Sequence, residues 1–157
     1  MKKYLSNDLN KETDHAVYFY TPEFYVFDNF SAFAIKIWER IFPTSEHAYQ
    51  WKKYSDSQPD IAELIFNASS PNATKKIADA NKDKVAPGWH EHKTGIMEEI
   101  LRAKLHQHEK VREALLRTGD REIVENSPAD DFWGAGPNGT GRNELGKLWM
   151  KLRTESI

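Results

Sequence analysis

Glu46, Tyr49, Gln50 and Lys53 recur at steps of three and four within Phe42-Pro43-Thr44-Ser45-Glu46-His47-Ala48-Tyr49-Gln50-Trp51-Lys52-Lys53. On a helix that spacing sets an acid, a phenol, an amide and an amine on one face, where a packing helix would carry Leu and Ile. Such a face is equipped for proton transfer or for holding charge. The plainer reading is that Glu46 only complements the helix dipole, worth a few tenths to about 1 kcal/mol. Pro43 stops the preceding element, and Thr44 or Ser45 supplies the cap that starts the helix.

Lys104 is the second candidate. It lies on the apolar stripe of Ile96, Met97, Ile100, Leu101 and Leu105, in the longest helical pattern, which starts at or just after Trp89. A lysine there either buries its stem and lets the ammonium reach water, or is an amine held in a pocket, where desolvation lowers its pKa. The third is the stretch Ser127 to Gly146, which holds Asp130 and Trp133 and places Gly134, Gly136, Gly139 and Gly141 within eight positions. A glycine-rich run before a helix N-terminus can cradle phosphate through its N–H groups. It is neither a P-loop nor a dinucleotide fingerprint, and taken alone it reads as a flexible loop. Histidines 90 and 92, and 106 and 108, are spaced by two, which turns the rings to different sides of a helix, so no protein-bound metal is expected.

The elements that must position these residues are legible in outline. Residues 1–15 are polar and aperiodic and read as a loose arm, leaving 16–157 as the folded domain. Val17 to Tyr20 and Tyr25 to Phe27 read as two short strands around Thr21-Pro22-Glu23. Asp28 to Ser31 is a polar break in which Asn29 and Phe30, taken alone, serve loop packing. Ala34 to Trp38 and Ile41-Phe42 read as a hairpin turning at Glu39-Arg40. Helices are expected from Pro59, with Ile61, Leu64 and Ile65 inward, and from Ser70-Pro71, with Ala73, Ile77 and Ala78 inward. Another runs through Val111, Leu115 and Leu116 to Gly119, a natural C-cap. Residues 121–126 are extended with Ile123 and Val124 inside, and a last helix faces Leu145, Leu148 and Leu152 inward.

Composition narrows the function. A chain of 157 residues with net charge −2 presents no general polyanion-binding surface. It has no cysteine, which removes disulfides, thiol chemistry and thiolate metal sites and leans towards the cytoplasm. No apolar run reaches membrane length.

Several segments resemble, in the same order, the NADAR (YbiA-like) family. They are Phe27-x-Asn29-Phe30, Pro43-Thr44-Ser45-Glu46-His47-x-Tyr49-Gln50-x-x-Lys53, Ser70-Pro71, Trp89, Met97 and Ala103-Lys104. The series continues with Glu125, Asp130-x-x-Trp133-Gly134 and Asn143-x-Leu145-Gly146, near Met150 and Arg153. One such motif is weak, but the ordered set spans about residues 17–153 and is specific. Ala78-Asp79 departs from it, standing where Gly-Arg is usual.

The resemblance implies a mainly helical α+β fold, a single YbiA-like domain with a small N-terminal β-sheet. It also implies cleavage of N-glycosidic bonds between ribose and a base, without a cofactor. Substrates of the family are ADP-ribosylated guanine, free or within nucleic acid, and early riboflavin-pathway intermediates. On this footing Glu46, Asp130 and Lys104 are the expected catalytic groups. Trp89, Trp133 and Phe30 offer flat surfaces to the base. Lys53, Asn143 and the glycine run, Gly134 included, bind phosphate and ribose, and Asn29 and Glu125 complete the substrate-binding set. Lys53 is the reserve for the reactive amine, expected to stay protonated on its more polar helix.

Overall fold

A computed structural model describes residues 9–20 and 25–156. In chain order its elements are β1 (Lys11–Glu12), β2 (Ala16–Phe19), β3 (Ile35–Ile37), β4 (Arg40–Phe42), α1 (Ser45–Lys52), α2 (Pro59–Phe66) and α3 (Pro71–Ala80). They continue with α4 (Trp89–Gln107), α5 (Glu109–Arg117), β5 (Glu122–Glu125) and α6 (Glu144–Glu155). The fold is thus mainly helical α+β with small sheets. The chain divides into two compact units, Ala32–Gln107 and the combination of Met1–Ser31 with His108–Ile157.

In the first unit, β3 and β4 form an antiparallel hairpin that pairs Ile35 with Phe42 and Ile37 with Arg40. Trp38 and Glu39 therefore make the turn, one residue earlier than expected, with positive φ of 52° and 64°. That is the backbone a two-residue hairpin loop needs, here adopted without glycine. Thr44 caps α1 and Ser70 caps α3, each accepting from a backbone N–H inside its helix. Tyr54, Ile61, Ala62, Ile65 and Ala78 form a core against which Trp51, Ile77 and Val85 pack. Leu64, expected inward, is 62% exposed, because the buried face of α2 is carried by Ile61, Ala62 and Ile65.

In the second unit, β2 is central, antiparallel to β1 and parallel to β5. The sheet is therefore not wholly N-terminal, since its third strand comes from residues 122–125. Residues 11–12 fall within the expected loose arm yet are paired. Next to them, Asn10 bonds both backbone groups of Tyr20, at 2.6 and 2.8 Å, and prolongs the ladder. The strand expected at Tyr25 to Phe27 is a turn, closed by the Asp28 N–H on the Tyr25 carbonyl at 2.8 Å. The intervening Thr21-Pro22-Glu23 lies outside the described residues. Phe27 is fully buried against Phe19 and Trp149, and the Trp149 indole N–H donates to its carbonyl. Helix α5 turns Val111, Ala114 and Leu115 inward while Leu116 is 41% exposed, and Gly119 follows with φ 64°. Helix α6 buries Leu145, Leu148, Trp149 and Leu152. Among the described residues no helix is long and apolar enough to cross a membrane.

Candidate functional site

Helix α1 is short and unusually polar inside. Its residues Ser45 to Gln50 are all buried. Thr44 Oγ1 accepts the His47 N–H at 3.1 Å and lies 2.8 Å from His47 Nδ1, while His47 Nε2 lies 3.0 Å from the Ala68 carbonyl. The carbonyl can only accept, so Nε2 carries the proton and Nδ1 takes one from Thr44. His47 thereby staples the start of α1 to the segment after α2, and burial holds its pKa below the ordinary value.

The polar stripe forms as its spacing requires. Gln50 Nε2 donates to Glu46 Oε1 at 2.6 Å, and Glu46 is 7% exposed. Lys53 Nζ sits 5.0 Å from the Tyr49 ring centre and 6.0 Å from that of Trp89, and the two rings are 5.3 Å apart. Burial lowers the Lys53 pKa, opposed by the charges of Glu46 and Asp79 and reinforced by Lys93 and Lys75. The direction is opposite to that of a freely solvated amine on a polar helix. Asp79, in the Ala78-Asp79 pair that replaces the usual Gly-Arg, therefore stabilises the charged form of Lys53.

Lys104 has no exposure at all, and its Nζ lies 5.3 Å from the centre of the Phe33 ring. The ammonium does not snorkel to water, so of the two readings of this lysine the structure selects the enclosed amine. Helix α4, which carries both Lys104 and Trp89, packs against α1.

Gln50 was visible as part of the stripe but not as a separate site residue; its distance of four from Glu46 was the available signal. Its Oε1 and the Ser45 Oγ are buried without a hydrogen-bond partner among the described residues. An unmatched buried oxygen typically costs about 1–3 kcal/mol.

Asp130 and Asn143, in the second unit, make several bonds to backbone groups. Asp130 is exposed; its Oδ1 accepts the N–H groups of Phe132 and Trp133 at 2.9 and 2.8 Å, and its own N–H donates to Ser127 Oγ. That is a loop-capping role for one of its two carboxylate oxygens. Asn143 takes φ 51° and clasps β5, donating to the Ile123 carbonyl at 2.8 Å and accepting the Glu125 N–H at 2.9 Å. Its amide is thus bonded to the strand on both sides. Gly134 is buried so tightly that a Cβ would stand 2.7 Å from the Glu125 carbonyl oxygen and 2.9 Å from Glu125 Oε2. Asn29 is buried and Phe30 half-buried in the turn that Asp28 Oδ1 closes on the Phe30 N–H. Trp133 is half-buried with Phe132 edge-on to it, 4.8 Å between centres. The glycine run borders a cleft of about 280 Å³ lined by Phe132, Asn138, Thr140 and Arg142 among others. Arg142 is held there by Glu144 at 3.0 Å.

The structure therefore gathers Glu46, Tyr49, Gln50, Lys53 and Trp89 into one cluster. Separately, it gathers Glu125, Gly134 and Asn143 around the end of β5.

Known proteins resemble the chain over most of its length. The sequence model of the NADAR domain matches residues 18–156. An N-glycosidase of Nostoc punctiforme is 39% identical over 142 residues, which is 88% of this chain and 91% of that protein. N-glycosidase YbiA of Escherichia coli is 36% identical over 129 residues, 82% of this chain and 79% of its own. A riboflavin biosynthesis protein of Vibrio vulnificus is 32% identical across 90% of this chain but only 39% of its own length. The NMR structure of Escherichia coli YbiA superposes with a TM-score of 0.80 at 33% identity, covering 96% of this chain and 90% of that one.

Proposed function

Because the chain belongs to the NADAR domain family, we propose that it is an N-glycosidase, cleaving the bond between a ribose and a nitrogen base. The observation that carries this reading is the buried Glu46, braced by Gln50 and accompanied by a lysine whose charge burial disfavours. Breaking the bond at C1 builds positive charge on the ribose, and a carboxylate shielded from water stabilises that charge far better than an exposed one. The names of relatives from Nostoc punctiforme and Escherichia coli point to the same reaction class.

Lys104 adds a second element. If the ribose ring opens, its amine attacks C1, the base departs taking a proton, and water then hydrolyses the imine to restore the lysine and release the sugar. The substrate we favour is ADP-ribosylated guanine, releasing guanine or its nucleoside and ADP-ribose. An early riboflavin-pathway intermediate with a ribosylamine bond is the second reading, supported by the name of the Vibrio vulnificus relative. A non-catalytic ADP-ribose-binding module is the third, and it gives no account of the enclosed Glu46 and Lys104.

Incubation with ADP-ribosylated guanosine, alongside a ribosylaminopyrimidine phosphate, separates the three. Guanosine and ADP-ribose released from the first substrate support the favoured reading, and free pyrimidine amine released from the second alone, the riboflavin reading. Binding without release of base from either leaves only the module.

A further inference from the structure

Half of the Gln50 amide is accounted for and half is not. Nε2 donates to Glu46 Oε1 at 2.6 Å, whereas Oε1 is buried without a donor among the described residues and the whole residue is only 4% exposed. Turning the amide over does not relieve this. It would press Oε1 against a carboxylate oxygen of Glu46, two acceptors that repel unless Glu46 carries a proton. The bond to Glu46 therefore fixes the direction of the carbonyl. The cost of burying it unmatched in the free protein is recovered once a donor arrives.

We propose that Gln50 Oε1 accepts a hydrogen bond from the bound substrate and makes the site selective for a substrate that offers an O–H or N–H next to the scissile bond. The inference rests on the reading of Glu46 as the carboxylate beside that bond, since the Gln50 amide touches Glu46 directly. A phosphate oxygen or a bare carbonyl cannot serve, because each only accepts. Two donors meet the requirement: a ribose hydroxyl adjacent to C1, or an amino group on the base.

The test is calorimetric titration of wild type, Gln50→Met and Gln50→Glu with two matched probe pairs. One pair is ribose 5-phosphate against 2-deoxyribose 5-phosphate; the other is guanosine against inosine, which lacks the amino group. Removing the brace on Glu46 weakens both members of a pair alike, so the ratio within a pair isolates the Oε1 contact. Wild type is expected to prefer the member with the extra donor by about tenfold in one pair. Gln50→Met should bind both members of that pair equally, and Gln50→Glu, whose carboxylate Glu46 repels from this position, should lose the preference too. Preference within the sugar pair identifies the hydroxyl as donor; preference within the base pair identifies the amine. Wild type that binds the probes with no preference in either pair overturns the proposal without recourse to a variant, and leaves the N-glycosidase reading standing. A preference that survives in folded Gln50→Met overturns it too. Wild type that binds none of the probes overturns the proposal, while the reading beneath it falls only if neither whole substrate is cleaved.

Discussion

Glu46 and Asp130 are both carboxylates in family motifs, and their surroundings are opposite. Glu46 is buried on a regular helix, bonded by a side-chain amide. Asp130 is exposed on a loop and holds two backbone N–H groups with one oxygen. Enclosing a carboxylate costs on the order of several kcal/mol even after relaxation, whereas a favourable helix dipole returns about 1 kcal/mol or less. Dipole compensation is therefore too small to offset that cost, which agrees with the chemical role proposed for Glu46. Asp130 incurs no comparable cost, and its bonds explain its presence. The same contrast separates the two lysine-bearing helices from the glycine-rich loop. Glu46 and Lys104 in the first unit are buried, whereas Asp130 and Asn143 in the second bond backbone groups.

The largest effect that would break or sharpen this contrast is at Lys104. Lys104→Ala is expected to lose roughly a hundredfold or more in turnover. Borohydride added to wild type during turnover should leave added mass on the Lys104 peptide. An adduct on Lys53 instead would keep the chemistry and move it to the other amine. No adduct, with a well-active Lys104→Ala, removes the covalent route.

Next come the structural positions of the second unit. Gly146 lies in α6 where a Cβ would collide with the Ile123 carbonyl and the Asn143 amide. Gly146→Ala should destabilise by about 3 kcal/mol in chemical denaturation, by overpacking against backbone that cannot yield. Asn143→Ala leaves the Ile123 carbonyl and Glu125 N–H unmatched and should cost about 1–3 kcal/mol. Its affinity for ribose 5-phosphate should be unchanged; a tenfold weaker affinity would place Asn143 in the ligand site.

The smallest effect is in pH dependence. The folded-state pKa of His47 is lowered from 6.5, so at acid pH the unfolded chain binds more protons than the folded one. Its stabilisation is complete above about pH 6.5 and is lost as pH falls through the folded-state value. The urea midpoint of wild type should decline over that range more than that of His47→Gln. Parallel declines would assign the acid sensitivity elsewhere.

The α1 face was readable because period and composition are local properties: an acid, a phenol, an amide and an amine at helical spacing need no tertiary information. The caps at Thr44 and Ser70 were readable for the same reason. The depth of Lys104 was not, because a stripe identifies a face without saying how fully neighbours cover it. The roles of Gly134, Asn143 and Gly146 depend on β5 lying beside β2, a pairing of Ala16 with Glu122 that no local pattern announces. The strand at Lys11–Glu12 is two residues long, with the Asn10 side chain prolonging its ladder, too short for any alternation to show. The hairpin turn was displaced because Trp38 and Glu39 are not residues that ordinarily take positive φ.

Turnover of Glu46→Gln and Asp130→Asn, measured side by side on whichever substrate wild type cleaves, tests the account most directly. With both variants folded, Glu46→Gln should lose roughly a hundredfold or more, because the amide can neither carry charge nor exchange a proton. Asp130→Asn retains an oxygen that can cap the same two N–H groups and should stay within about tenfold of wild type. The reverse order, with Glu46→Gln near wild type and Asp130→Asn inactive, would contradict it.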